Sequence, residues 1–265
     1  MMSSGNLLKM RVEKKNPVDY FLVLGDSEIH LNPFIGNNIS LSFNGQINCI
    51  ACGRLTSKSF AGGFCYPCMV NSPLNAECII RPELCEAHLG KGRDPEWEKK
   101  NHIQPHVVYI ALSSGIKVGV TRDSQIPTRW IDQGASKAIR LAEVPNRYLA
   151  GKIEVFLKDF MSDKTAWQKM LKNDVNIESD ILEAKYKALD LLPAELKEYL
   201  SKDDDVTELN YPVLEYPKKL KSTNFDKESI FEGELKGIKG QYLMLSDDRV
   251  LNVRRHSGYY IIFKD

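Results

Sequence analysis

The chain lacks any long apolar run and any strong net charge. No segment of its 265 residues approaches the roughly 18 continuous apolar residues that a membrane-spanning helix needs, so we expect no membrane partner. The first fifteen residues, MMSSGNLLKMRVEKK, contain no apolar stretch of the length that a signal peptide requires. We therefore expect a cytoplasmic protein, a setting in which thiols stay reduced and disulfides are disfavoured.

The net charge is only +1, which excludes an overall field that would attract nucleic acid or an acidic membrane. The charge is nevertheless unevenly distributed. Residues 91–140 carry nine Lys/Arg against five Asp/Glu, whereas residues 172–205 carry five Lys against ten Asp/Glu. A local basic surface in the middle of the chain is therefore still compatible with the sequence.

Four of the six cysteines form two CxxC pairs, Cys49/Cys52 and Cys65/Cys68, with twelve residues between the pairs. Two such pairs supply the four sulfur ligands, in a tetrahedron, that zinc prefers. A redox motif would instead be a single CxxC at a helix start near a βαβ unit. The spacing therefore predicts a first zinc ion.

Further metal ligands follow closely in the sequence. Cys78, Cys85 and His88 lie within eleven residues, and His102 is a fourth candidate, with His106 in reserve. The alternative is that Cys78 is a small buried apolar residue and His102 a surface loop residue. We expect a second zinc ion. With four protein ligands each, both sites would be closed and structural rather than catalytic.

We expect an α+β protein of four segments. These are an N-terminal β segment (1–48), a zinc-ribbon-like module (49–104), a central domain (105–205) and a small β domain (206–265). Short strands and turns dominate both ends of the chain. We therefore expect the two termini to build one β-rich unit.

The central domain is predicted to be a small three-stranded antiparallel sheet flanked by helices. The predicted strands are HVVYIAL (106–112), IKVGVTR (116–122) and AIRLAEV (138–144). A helix should run from Pro127 to about residue 138, and another should begin at Pro145-Asn146. Ser162 should cap the following helix, and two further amphipathic helices should precede residue 203.

The predicted hairpin has one wholly aliphatic face. Val108, Ile110 and Leu112 alternate with Val107, Tyr109 and Ala111, and the partner strand alternates in the same way. The aliphatic sets should share the buried face. Tyr109, Lys117 and Thr121 then belong on the opposite face, where Gly119 leaves room for a close approach by backbone or substrate.

The order β-β-α-β-α over about residues 105–162 resembles the GIY-YIG nuclease superfamily. Tyr109 in VVY matches the end of the first motif, and KVG at 117–119 matches the second. Arg129, in PTRWIDQGA, matches the arginine of the first helix, and Glu154, in GKIEVFLKDF, matches the glutamate of the next long helix. A branch of the superfamily carries KIG at the second motif. The whole chain also resembles an uncharacterised bacterial family in which a Cys-rich zinc module precedes RWIDQGA.

The resemblance implies a metal-dependent phosphodiesterase. Glu154 would hold Mg²⁺ or Mn²⁺, which polarises the scissile phosphate. Tyr109 would orient or deprotonate the attacking water, and Arg129 would neutralise charge on the phosphoryl oxygens. Lys117 stands where the superfamily usually has a second tyrosine. It could bind phosphate, but it would need a lowered pKa to act as a base.

Each of these residues also has an ordinary structural interpretation. Tyr109 could be an ordinary aromatic residue of a strand, and Lys117 could be a solvated side chain. Glu154 precedes Lys158 by four residues, and Arg129 precedes Asp132 by three, both favourable spacings for surface helix pairs.

Six residues are candidates for nucleic-acid binding, on the basis of charge, hydrogen-bonding capacity or a base-stacking ring. They are Lys117, Arg122, Trp130, Gln133, Arg254 and Arg255. Trp130 could alternatively pack in the core. Three functions stay open at this point: a zinc-stabilised nuclease, a nucleic-acid-binding protein of the same fold without catalysis, and a zinc-containing scaffold that docks a protein partner.

Overall fold

The computed structural model describes residues 2–175 and 180–265. The chain divides into two compact units. Unit 1 comprises the residues up to Val70 together with Asn210–Asp265, and unit 2 comprises Asn71–Leu209. Residues 49–104, expected to be one zinc module, are therefore shared between the two units. Among the described residues, no helix is long and apolar enough to cross a bilayer.

The strands and helices alternate irregularly along the chain, as in an α+β protein. The strands are β1 (Met2–Asn6), β2 (Arg11–Glu13), β3 (Asp19–Leu24), β4 (Ser27–His30), β5 (Asn38–Asn48), β6 (Leu55–Thr56), β7 (His106–Leu112), β8 (Ile116–Arg122), β9 (Lys137–Val144), β10 (Thr207–Glu208), β11 (Lys221–Thr223), β12 (Ile230–Lys239), β13 (Tyr242–Leu245), β14 (Arg249–Asn252) and β15 (Tyr259–Lys264). The α-helices are α1 (Tyr66–Asn71), α2 (Pro95–His102), α3 (Thr128–Asp132), α4 (Arg147–Leu157), α5 (Trp167–Leu171) and α6 (Ile181–Leu191).

Unit 1 is β-rich and is built from both ends of the chain, as predicted. Its main sheet has the strand order β1-β15-β5-β12-β13-β14-β11, with β6 paired to β5. A second sheet has the order β2-β3-β4. The N-terminal strand β1 runs antiparallel to the C-terminal strand β15, so Met2 lies opposite Lys264. Buried side chains such as Leu41, Phe231 and Phe263 form the apolar face of the main sheet.

Unit 2 contains an antiparallel sheet with the order β10-β9-β7-β8. The predicted strands 106–112 and 116–122 are confirmed, and β9 begins one residue before the predicted start. The sheet has four strands instead of three, because Thr207–Glu208 pairs with the start of β9. A strand of two residues carries too little alternation to be recognised from sequence.

The aliphatic face of the β7–β8 hairpin is buried, as predicted. Val108, Ile110 and Val118 pack with residues of α4 and α6 in one core. The opposite face is also covered, since every residue of β7 is buried. Tyr109 and Lys117 therefore lie inside the protein, with exposures of 0% and 2%.

Helix α3 ends at Asp132, several residues before the predicted end near 138. Gly134 adopts φ +66°, a left-handed conformation that stops the helix. Its N–H donates to the Ile131 carbonyl at 2.9 Å, and the Ala135 N–H donates to the Trp130 carbonyl at 3.1 Å. This pair of bonds is a Schellman motif, and it fixes Gln133 at the end of the helix.

The helix predicted to begin at Pro145-Asn146 is α4, whose cap is the Asn146 side chain, an acceptor for the Leu149 N–H at 2.9 Å. The predicted cap at Ser162 is wrong. Its hydroxyl accepts from the Lys164 N–H at 3.1 Å in a local turn, and α5 begins only at Trp167. Of the two later helices, α6 is an α-helix, whereas Ala194–Tyr199 is a 3-10 helix.

Candidate metal centres and a buried polar site

The first cysteine group lies in unit 1. The sulfur atoms of Cys49, Cys52, Cys65 and Cys68 all lie within 4.8 Å of one another. The Cys52 and Cys65 sulfurs are 3.8 Å apart, about the separation of two sulfurs on one tetrahedral zinc ion. The donor set and its geometry fit zinc, in a zinc-ribbon-like arrangement.

The backbone around Cys49 favours its thiolate form. Burial opposes ionisation of Cys49, but hydrogen bonds from the amides of Cys65, Ala51 and Cys52 outweigh it and lower the pKa of the thiol to about 6. Gly53 follows the first pair with φ +72°, a conformation that closes the turn on Cys49. The thiolate is the form that binds a metal.

The second group, in unit 2, consists of Cys78, Cys85 and His102. Their ligand atoms also lie within 4.8 Å of one another, and all three residues are buried. The His102 Nδ1 atom is 3.4 Å from the Cys85 sulfur and 3.9 Å from the Cys78 sulfur. Hydrogen bonding with Cys78, aided by His102 and opposed by burial, lowers the pKa of Cys85 to about 4. These donors too fit zinc.

The structure does not bring His88 into this group, which corrects its prediction as a ligand. His88 is exposed, and its ring stacks on Tyr148 with the ring centroids 4.5 Å apart. The reserve candidate His106 lies outside the group as well. Its Nδ1 donates to the Gln104 carbonyl at 2.7 Å, and burial lowers the pKa of the ring to about 4.

The second group is joined directly to helix α4. The Arg147 guanidinium, in the first turn of α4, donates to the carbonyl oxygens of Cys78 and Ile79, both at 2.7 Å. One turn later, a Cβ on Gly151 would lie 2.1 Å from the backbone nitrogen of Glu83. Only glycine permits this close packing. The metal loops therefore position the helix that carries Glu154.

A buried polar site lies on the second face of the unit 2 sheet. The Tyr109 hydroxyl donates to Gln133 Oε1 at 2.8 Å, and the Lys117 ammonium donates to the same oxygen. Gln133 therefore links the two strand residues, from the helix end that the Schellman motif fixes. The sequence predicts Gln133 as a nucleic-acid contact, and no local pattern indicates this linking role.

Burial shifts the pKa values of Lys117 and Tyr109 in opposite directions. Burial, together with the nearby Arg129 charge, lowers the pKa of Lys117 from 10.5 to about 7, despite the opposing charges of Glu154 and Asp163. Burial raises the pKa of Tyr109 above its usual value, with the Arg129 charge acting in the opposite direction. Tyr109 therefore stays protonated at neutral pH, whereas Lys117 is about half neutral there.

Glu154 approaches the same site from α4 and is 8% exposed. Burial raises the pKa of its carboxyl, Lys158 opposes this, and the charges of Asp163 and Glu83 add to it. The Lys158 ammonium lies 3.8 Å from Glu154 and 3.3 Å from Asp163. Asp163 reaches the site because Ser162 runs beside β8, its carbonyl accepting from the Val118 N–H at 2.8 Å. Sequence analysis missed this second carboxylate.

The other nucleic-acid candidates differ in accessibility. Trp130 is 3% exposed and its ring contacts Tyr109 edge-on, so its prediction as a base-stacking residue is wrong. Arg122 is half-buried and donates to the Asn101 side chain at 3.1 Å. Arg254 and Arg255, in unit 1, are exposed.

Replacing Gly119 by alanine is expected to destabilise unit 2 by about 1–3 kcal/mol, through overpacking. A Cβ at this position would lie 2.6 Å from the Tyr109 hydroxyl oxygen, so the buried ring must shift. Urea unfolding measures the effect. Gly115→Ala is the matched control, since a Cβ there meets no atom within 4 Å and the change should be within about 0.5 kcal/mol. Equal effects of the two substitutions would contradict the close Tyr109 contact.

A family described as "Protein of unknown function (DUF2797)" matches the chain over residues 36–261. This range includes both cysteine groups and the buried polar site. No curated protein and no solved structure matches the chain significantly.

Proposed function

We propose that this chain, which belongs to the DUF2797 family, is a metal-dependent phosphodiesterase that cleaves DNA or RNA and is stabilised by structural zinc. The observation that supports the proposal is electrostatic. Tyr109 and Lys117 donate to the same Gln133 oxygen, and the charges of Arg129 and Glu154 act on both of them, which supports a common site for the four side chains. Convergence of an aromatic hydroxyl, an amine, a guanidinium and a carboxylate is suited to phosphoryl chemistry.

The two strand residues would divide the proton chemistry between them. Neutral Lys117 would accept the proton of the attacking water, because its pKa of about 7 makes it an effective base near neutral pH. Tyr109 would hold the water in place and keep its own proton. This assignment differs from the roles implied by the superfamily resemblance, in which the tyrosine can serve as the base.

The carboxylates provide oxygen donors for Mg²⁺ or Mn²⁺, ions that prefer such ligands. Glu154 would be the main ligand, with Asp163 close enough to raise its pKa. When bound, the ion supplies Lewis-acid polarisation of the phosphate and charge stabilisation of the leaving oxygen. Arg129 would neutralise the remaining charge on the phosphoryl oxygens through its planar guanidinium.

Substrate binding would use cationic residues outside the buried site. In unit 2, Arg122 is a candidate for a phosphate contact. Arg254 and Arg255, which are exposed in unit 1, are separate candidates. The two zinc sites would have structural roles. On this proposal, residues 105–162 form a divergent GIY-YIG domain of the KIG type.

A second candidate function is nucleic-acid binding without catalysis. It is favoured by one observation: the Tyr109 side chain is fully buried and its hydroxyl is already bonded to Gln133. Catalysis would require Gln133 to release this hydroxyl when substrate binds.

The test is incubation of the purified chain with single- and double-stranded DNA and RNA, in the presence of Mg²⁺ or Mn²⁺. We expect cleavage that depends on the divalent ion and that Arg129→Ala slows by about 10²–10³-fold, the usual cost of removing a charge-stabilising donor. Arg140→Ala is the control, because Arg140 is held by the surface carboxylates of Asp123 and Glu143. Binding without cleavage on every substrate would support the second candidate instead.

The cleavage rate should depend on pH through Lys117. With a pKa of about 7, the fraction of Lys117 in its neutral, basic form falls about tenfold for each pH unit below pH 7. Above about pH 8 nearly all of Lys117 is neutral. The rate constant should rise through this window and then level off. Lys117→Arg keeps the positive charge but cannot give up a proton, so it should lose at least about 10²-fold. A flat pH profile, or an active Lys117→Arg enzyme, would exclude Lys117 as the base. Lys137→Arg is the control and should keep the wild-type rate.

A further inference from the structure

A buried carboxylate, Glu98, lies beside the second metal group. Glu98 and His102 lie four residues apart on α2, so their side chains project from the same face of the helix. Glu98 is 2% exposed, although glutamate is rarely buried without compensation for its charge. Its Oε2 atom is 3.9 Å from the Nδ1 atom of His102. We propose that Glu98 is the fourth ligand of this site, which makes it a two-cysteine, one-histidine, one-glutamate zinc site.

Three potential ligand atoms lie within 3.9 Å of the His102 Nδ1 atom. Its Nδ1 atom is 3.9 Å from Glu98 Oε2, 3.4 Å from the Cys85 sulfur and 3.9 Å from the Cys78 sulfur. With zinc bonds of about 2.0 Å to nitrogen or oxygen and 2.3 Å to sulfur, tetrahedral ligand atoms lie roughly 3.3–3.8 Å apart. Binding of the ion would draw the carboxylate toward the three donors that already lie within 4.8 Å of one another.

The geometry distinguishes a ligand from a carboxylate that merely orients the histidine. An orienting carboxylate binds the ring nitrogen that does not face the metal. Here the nitrogen nearest to the carboxylate is Nδ1, the same atom that faces both sulfurs. Glu98 therefore lies on the metal side of the ring.

The surrounding backbone holds the carboxylate in place. Glu98 Oε1 accepts the Arg93 N–H at 2.9 Å, and ligating carboxylates in metal sites are usually supported in this way. A Cβ on Gly92 would lie 2.2 Å from Glu98 Oε2, so a larger residue there would displace the carboxylate from this position. Gly92 has φ +158°, at the edge of the region that favours glycine.

Glu98 takes the place predicted for His88, whose ring stacks on Tyr148 away from the group. The proposal does not rest on the proposed nuclease function. It also gives the site one oxygen ligand, which is exchanged more readily than a thiolate. Zinc should therefore leave this site before it leaves the four-cysteine site under a competing chelator.

Cadmium-113 NMR of the fully loaded protein tests the assignment. We expect two resonances, one from a four-sulfur site and one from a site with two sulfurs. Glu98→Gln should move only the second resonance and weaken metal affinity at that site by at least about tenfold. His88→Ala should change neither. An unmoved resonance in Glu98→Gln, with or without a loss of affinity, would overturn the assignment, as would a change in His88→Ala.

A measurement on the unsubstituted protein keeps the proposal testable if Glu98→Gln does not fold. X-ray absorption of the two-zinc chain reports the number of imidazole ligands by their multiple scattering. We expect one imidazole for every two zinc ions. Two imidazoles would assign a second histidine in place of Glu98 and would overturn the proposal.

Discussion

Replacing Glu154 by alanine is expected to lower the rate of divalent-ion-dependent cleavage by at least about 10³-fold. A bound divalent ion supplies several kcal/mol of charge stabilisation in the transition state, and each 1.36 kcal/mol corresponds to about tenfold in rate. Glu154 is the carboxylate of α4 that reaches the buried site, and its charge acts on both Tyr109 and Lys117. Single-turnover cleavage of an end-labelled substrate measures the loss.

Glu143→Ala is the matched control, because Glu143 is an exposed carboxylate on β9 whose contacts are with Arg140, at 3.4 Å, and with the Ser201 hydroxyl, at 3.3 Å. The Glu154→Ala chain should keep its zinc content and unfold at a similar urea concentration, since alanine fills a helical position well. Cleavage that survives Glu154→Ala would mean that the catalytic site is assigned to the wrong residues.

Replacing Cys49 by serine is expected to remove one of two zinc ions and to unfold the segment from Cys49 to Cys68. The apolar cluster there is small, with Cys49, Phe64 and Cys65 as its buried members. Structural zinc contributes apparent binding free energies of about 10–16 kcal/mol in small zinc-binding peptides, more than such a cluster can replace. Elemental analysis and limited proteolysis measure the two effects.

Cys78→Ser is the reciprocal control: it should lose the other zinc ion and leave the segment around Cys49 resistant to protease. Wild-type protein should contain about two zinc equivalents per chain. A folded, metal-free preparation, or a Cys49→Ser chain that keeps both ions, would contradict the structural role of the first site.

Local patterns predicted the parts of the fold that depend on neighbouring residues. Strict alternation placed the strands 106–112 and 116–122 and assigned their aliphatic face. The CxxC spacing predicted the first metal group for the same reason, because its ligands lie within twenty residues. The early end of α3 had a signal in Gly134, whose left-handed conformation stops the helix.

Features set by distant contacts could not be read in this way. The second metal group depends on how α2 packs against the turns that hold Cys78 and Cys85. This packing places Glu98, and not His88, beside His102. The pKa of Lys117 depends on the burial of the second face of the sheet. Alternation along the strands does not reveal that both faces are buried. The burial of Trp130 likewise depends on tertiary contacts.

The most direct test of the proposed site is a double-substitution cycle of Arg129→Ala and Glu154→Ala, measured as single-turnover cleavage with saturating Mn²⁺. Residues that serve one transition state are strongly non-additive, so the double variant should be scarcely slower than the slower single variant. Losses that simply multiply would place the guanidinium and the carboxylate in separate roles, and a wild-type protein that cleaves no nucleic acid would contradict the nuclease proposal outright.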